Sequence, residues 1–141
     1  MTGLLAVGVT LVVATALGLW VRRSGHRLGR RDGTPAAART VLAPDDLGAA
    51  LGERATLVQF STAFCQPCRA TRRVLDEVSL LVPGVAHVEV DAESHLDLVR
   101  RLDVRRTPTV LVLDATGAVV RRASGQPRKA DVLAALAEAV G

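Results

Sequence analysis

Phe60-Ser61-Thr62-Ala63-Phe64-Cys65-Gln66-Pro67-Cys68-Arg69 joins a stretch that reads as a strand to one that reads as a helix. Upstream, Thr56–Ser61 (TLVQFS) is rich in apolar and β-branched residues, the composition of a buried strand. Downstream of Cys65, apolar residues recur at Val74, Leu75, Val78, Leu81 and Val82, and Pro83-Gly84 ends the run. That spacing predicts an amphipathic helix from Cys65 to Leu81. The cysteines therefore stand in its first turn, where two intervening residues bring the sulfurs within bonding distance. Unpaired backbone N–H groups and the macrodipole favour a thiolate at Cys65, so its pKa is expected below the ~8.5 of a free thiol. Cys68 lies one turn further in and is expected to be buried. Pro67 fits early in a helix, because the N–H it lacks has no intrahelical partner.

A pair spaced in this way supports two-step exchange. The Cys65 thiolate attacks a substrate disulfide, and Cys68 then displaces the mixed disulfide, leaving Cys65–Cys68 oxidised. Half of a zinc site has the same spacing. Zinc needs two further ligands, and the histidines, His26, His87 and His95, form no H-x-x-x-H pair. Carriage of a soft metal by the thiols alone is disfavoured because no methionine flanks them. Neither a metal nor any other cofactor is expected.

Outward from this segment the chain alternates between strand-like and helix-like runs. Thr40–Leu42 reads as a short strand, followed by a helix start at Pro44-Asp45-Asp46 and a short amphipathic helix closed near Gly52. Val85–Asp91 (VAHVEVD) alternates with period two. From His95 to Leu102, Leu96, Val99 and Leu102 share one helical face. Thr109–Leu113 (TVLVL) is continuously apolar, as in a central strand covered on both faces. Asp114–Gly117 is a turn, Val119–Ala123 the return strand of a hairpin, and Arg128–Val140 a closing amphipathic helix. The order βαβαβαββα predicts an α/β fold, a central mixed sheet flanked by helices.

Nineteen uncharged residues, Gly3–Val21, precede this part. As a helix they would measure about 28 Å, close to the hydrocarbon thickness of a bilayer. Trp20 stands at the far end, where an indole prefers the interface. A cleaved signal peptide is disfavoured by the missing basic n-region and the length of the run. Residues 1–21 are therefore expected to be a single-pass anchor, residues 22–39 a basic flexible linker, and residues 40–141 the globular domain. Arg22, Arg23, Arg27, Arg30 and Arg31 follow the apolar run, which by the positive-inside rule leaves the domain in the cytoplasm. The same arginines account for the basic pI, because the rest of the chain carries 13 basic and 14 acidic side chains. With 2% aromatic residues and no basic face outside the linker, nucleic acid is not an expected partner. At 141 residues with two cysteines, the fold must rest on a hydrophobic core, since one pair cannot staple a small secreted scaffold.

Phe60–Cys68, followed some forty residues on by Arg105-Arg106-Thr107-Pro108-Thr109, resembles a thioredoxin. The resemblance covers residues 40–141 and includes Asp91 after the third strand-like run and Gly125 after the hairpin. It implies a thioredoxin fold and protein-disulfide reductase activity, with Cys65 as nucleophile and Cys68 as resolving cysteine. Pro108 corresponds to the family's cis-proline, and Phe64, Gln66, Pro67, Thr107 and Pro108 would shape the substrate groove. The Thr107 backbone would pair with an extended substrate segment, while its hydroxyl could reach the Cys65 thiolate. Implied partners are disulfide-containing proteins, an electron donor such as a thioredoxin reductase, and the lipid bilayer.

Departures from the family pattern cluster around the cysteines. Phe64 and Ser61 stand where tryptophans are usual. The buried acid is Gln59, and the lysine often paired with it is His87. The usual carboxylate that helps deprotonate the resolving cysteine is thus absent. His87 reads as a half-exposed strand residue, unless its ring faces the same pocket and activates Cys68. Two other readings remain open: an extracytoplasmic disulfide reductase of opposite topology, and a redox-silent interaction module on the same fold.

Overall fold

Strand β1 (Ala55–Ser61) is buried along its whole length and organises the rest of the molecule. The computed structural model describes residues 11–16 and 40–141. Besides β1, its elements in chain order are α1 (Pro44–Leu47), α2 (Gln66–Leu81), β2 (Val85–Asp91), α3 (Leu96–Arg101), β3 (Thr109–Asp114), β4 (Val119–Ser124) and α4 (Lys129–Val140). The four strands form one sheet in the order β2-β1-β3-β4. β1 runs parallel to β2, with Leu57 beside His87 and Gln59 beside Glu89. β3 lies antiparallel to both β1 and β4. The apolar-rich run TLVQFS and the continuously apolar run TVLVL are thus the two central strands, covered on both sides.

Period-two alternation divides the side chains between two cores. Val58 and Phe60 of β1 join Val88, Val90, Leu111 and Leu113 beneath α1 and α3, which contribute Leu47 and Leu98. Ala55 and Leu57 join Val110, Val112 and Ala123 beneath α2 and α4, which contribute Leu75, Val78, Val132 and Leu136. The sheet is a mixed one with helices on both faces.

Three expectations are corrected. Thr40–Leu42 is not a strand: the segment makes a single antiparallel bridge, Val41 to Ala118, with Leu42 N–H donating to the Gly117 carbonyl at 2.9 Å. Of its two apolar residues only Leu42 sinks inward, fully buried, while Val41 stays exposed. Helix α1 ends at Gly48, not near Gly52, because Gly48 takes the left-handed conformation (φ 65°) that terminates helices. In α3 the buried residue is Leu98, and Leu96 faces solvent. Burial there follows the four-residue step from Leu98 to Leu102, not the three-residue step from Leu96.

The anchor expected over residues 1–21 lies outside the described residues except for 11–16, which are helical and exposed, and the linker 22–39 lies outside them entirely. Among the described residues, no helix is long and apolar enough to cross a membrane.

Candidate functional site

Cys65 is the N-cap of α2. Its backbone is still extended, and its Sγ accepts the Cys68 N–H at 3.2 Å, taking the place of the usual hydroxyl or carboxylate cap. The sulfurs of Cys65 and Cys68 are joined in a disulfide, with S–S 2.01 Å and Cα–Cα 5.2 Å. Cys65 is half-exposed while Cys68 is buried, as their places in the first turn predict. Gln66 and Pro67 stand exposed between them, and the Phe64 side chain is 96% exposed beside the pair.

The second motif is brought to the first by threonines. Thr62 Oγ1 and Thr107 Oγ1 lie 3.3 Å apart, and the Thr62 carbonyl accepts the Cys65 N–H at 3.4 Å. The Thr107–Pro108 peptide is cis. Pro108 is buried, its carbonyl accepting the Gly125 N–H at 2.7 Å, which ties the loop before β3 to the end of β4. The Thr107 hydroxyl is thus engaged with Thr62; no bond from it to Cys65 is formed in the disulfide state.

Beneath α2 the sheet presents a polar floor. Gln59 is fully buried, and its Nε2 donates to the Cys68 carbonyl at 2.8 Å and to Ser61 Oγ at 2.9 Å. Its Oε1 faces His87 Nε2 at 3.2 Å, while His87 Nδ1 lies 2.6 Å from Asp76 Oδ1 on α2. His87 is therefore not the half-exposed strand residue the alternation suggests: its side chain is 7% exposed and packs into the pocket behind Cys68. Register explains this. His87 and Glu89 share the β2 face that α2 covers, and each meets an α2 partner, Asp76 and Arg72 respectively. The Arg72 guanidinium grips both Glu89 carboxylate oxygens and holds that carboxyl below the usual range, with help from Ser61 and from the His87 charge.

Sequence reasoning missed Asp76 and gave no structural role to Thr62 or Ser61. Asp76 reads as an ordinary solvent-facing helix acid, and only the α2–β2 crossing turns it toward His87. Among the described residues no group of three or more His, Cys, Asp or Glu is placed to hold a metal ion.

The thioredoxin family model matches residues 41–139. The chain belongs to the thioredoxin family. It is 35% identical over 60 residues to thioredoxin H5 of Oryza sativa subsp. japonica, covering 43% of this chain and 44% of that protein. To thioredoxin C-2 of Corynebacterium nephridii it is 32% identical over 77 residues, covering 54% of this chain and 71% of the other. The match thus spans less than half the length of the rice protein. Solved structures show the same fold. A thioredoxin from Nicotiana alata aligns with TM-score 0.56 and 24% identity over 63% of this chain and 76% of that one. The reduced Schistosoma mansoni thioredoxin pre-protein aligns with TM-score 0.55 and 19% identity over 63% and 82%. Thioredoxins are generally disulfide oxidoreductases, and this one carries its Cys-x-x-Cys pair at disulfide distance.

Proposed function

We propose that the chain is a membrane-anchored protein-disulfide reductase. The Cys65 thiolate attacks a substrate disulfide, forming a Cys65–substrate bond and expelling the substrate's other sulfur as a thiolate. Cys68, deprotonated, then attacks Cys65 Sγ. The Cys65–Cys68 bond forms, the Cys65–substrate bond breaks, and the second substrate sulfur leaves with its electron pair and takes a proton from solvent. The pair is left oxidised, and two electrons from a donor of the thioredoxin-reductase kind restore it. Cys65 is the nucleophile because its sulfur is the more accessible one and sits at the N-terminus of α2, where it accepts the Cys68 backbone N–H. Phe64, Gln66, Pro67, Thr107 and Pro108 border the groove in which a disulfide-containing protein would lie.

The observation that carries this reading is the Cys65–Cys68 disulfide at the start of α2, with the Thr107–Pro108 segment tied to it through Thr62. Turnover of insulin disulfides with dithiothreitol as reductant tests it. Wild type is expected to precipitate insulin and Cys65→Ser to be inactive; equal rates would leave the fold a redox-silent scaffold.

The domain plan is residues 1–21 as anchor, 22–39 as linker and 40–141 as catalytic domain, the last facing the cytoplasm. The nineteen uncharged residues Gly3–Val21 and the five arginines behind them support it. The tether would raise the effective concentration of the site toward membrane-proximal substrates. One cysteine placed in the linker of a Cys65→Ser, Cys68→Ser chain should resist an impermeant maleimide in intact cells. Labelling would reverse the topology.

A further inference from the structure

We propose that Asp76, His87 and Gln59 form a positioning relay for the resolving cysteine, in which Asp76 holds His87, His87 fixes the Gln59 amide, and Gln59 holds the first turn that carries Cys68. The inference rests on the disulfide-exchange reading and deepens it. Both amide hydrogens of Gln59 are committed, one to the Cys68 carbonyl at 2.8 Å and one to Ser61 Oγ at 2.9 Å. The amide therefore cannot be turned over without opposing oxygen to oxygen. Its Oε1 is what faces His87 Nε2 at 3.2 Å, and a carboxylate oxygen of Asp76 faces the other ring nitrogen at 2.6 Å. Two acceptors at the two ring nitrogens are both satisfied only when each nitrogen carries a hydrogen. The relay works with the ring in that doubly protonated form.

The charged groups facing this ring are few. Helix α2 supplies Asp76 and Arg72, β2 supplies Glu89, and β1 supplies no titratable group. Arg72 and Glu89 neutralise one another, and Asp76, 56% exposed, lies on the solvent side of the imidazole. The positive end of the Asp76–His87 pair thus points inward, toward Gln59 and the turn holding Cys68. A thiolate forming at Cys68 during resolution meets a fixed dipole and a cation instead of a buried carboxylate. Gln59 is not titratable, so the Cys68 proton passes to solvent and the departing substrate thiolate takes one up.

The test is stopped-flow reaction of the reduced full-length chain with dithiobis-nitrobenzoate. One coloured thiolate appears when Cys65 is modified, and a second when Cys68 expels the adduct. His87→Ala should leave the first phase unchanged and slow the second about tenfold, the scale of a lost hydrogen bond to a charged group. His87→Lys, which retains a cation and a donor for Gln59 Oε1, should recover most of that rate. Asp76→Asn, a change at the surface that leaves the core intact, should make the second phase fall off at lower pH than in wild type. Wild-type rates and pH profiles in both His87→Ala and Asp76→Asn would overturn the relay. So would a slowed His87→Ala whose pH profile is unmoved and which His87→Lys does not rescue. A wild-type chain that shows no second phase, or a Cys68→Ser chain that shows the same one, would overturn the exchange reading, and the relay with it.

Discussion

The two faces of the sheet draw on the same four strands and differ in what they bury. Under α1 and α3 the strands bury Val58, Phe60, Leu111 and Leu113, and the two buried hydroxyls on that face, Thr56 and Thr109, stand at the strand ends and bond to neighbouring backbone. Under α2 and α4 the far end is equally apolar, with Ala55, Leu57, Val110 and Val112. Toward Cys68, however, that same face carries Gln59, Ser61, His87 and Glu89, bonded to one another or to α2. A uniformly apolar interior stabilises most per residue, so a polar patch beneath one helix start is retained at a cost in stability. The cost falls where the disulfide sits, which marks the patch as serving chemistry. One face holds the fold, and one end of the other face serves the sulfurs.

The sharpest way to break this contrast is to cut into the dry face. Phe60 is the largest of the fully buried side chains, and Phe60→Ala should cost about 3–5 kcal/mol, much of the stability of a domain this size. Urea unfolding should show a lower midpoint at unchanged slope. The Cys65–Cys68 disulfide, on a different face, should keep its reactivity toward dithiothreitol in whatever fraction remains folded. A loss under 1 kcal/mol would mean that the face under α1 and α3 is loosely packed and that the division of labour is wrong.

Much of this arrangement is legible in the chain. The apolar, β-branched composition of β1, the alternation of β2 and the three-and-four spacing of Val74, Leu75 and Val78 in α2 locate these elements. The continuous apolar run of Thr109–Leu113 announces a central strand in the same way. What fails is local and short. Thr40–Leu42 is apolar enough for a strand, but it pairs only with the short stretch 117–119, in a single bridge. α1 is too short for periodicity to locate its end, which backbone conformation at Gly48 decides. The cysteines and the Thr107-Pro108 pair are readable from spacing and resemblance. Asp76 is not, since nothing in one helix tells which of its acids the neighbouring strand will meet. His87 is half-readable: alternation assigns it a face, and only the β1–β2 register and the crossing of α2 bury it.

A smaller change sharpens the contrast from the polar side. Thr71, one turn beyond Cys68 on the buried side of α2, has the one buried side-chain oxygen or nitrogen without a hydrogen-bond partner among the described residues. A hydroxyl left in that position costs about 1–3 kcal/mol. Thr71→Val removes it at nearly constant shape and should stabilise the oxidised protein by about 1 kcal/mol in urea unfolding. If the valine variant is instead less stable, the hydroxyl has a partner, and the polar floor extends a turn further along α2 than its hydrogen bonds indicate.

The smallest effect lies at the solvent edge of that floor, where Arg72 grips Glu89. Glu89 has its carboxyl lowered chiefly by the Arg72 hydrogen bonds, so its folded-state pKa lies below the unfolded value of about 4.3. A depressed carboxyl stabilises the fold above the unfolded pKa and loses that contribution as pH falls through the folded one. Arg72→Gln should therefore be less stable than wild type at neutral pH, with the gap closing below about pH 4. Arg72 is half exposed, and solvent screening keeps the difference at or below about 1 kcal/mol. Thermal unfolding of both proteins between neutral and acid pH measures it. A gap that persists in acid would assign the loss to the packing of the arginine stem against β2. The boundary between charge and packing would then fall outside the polar patch, at the rim of the sheet.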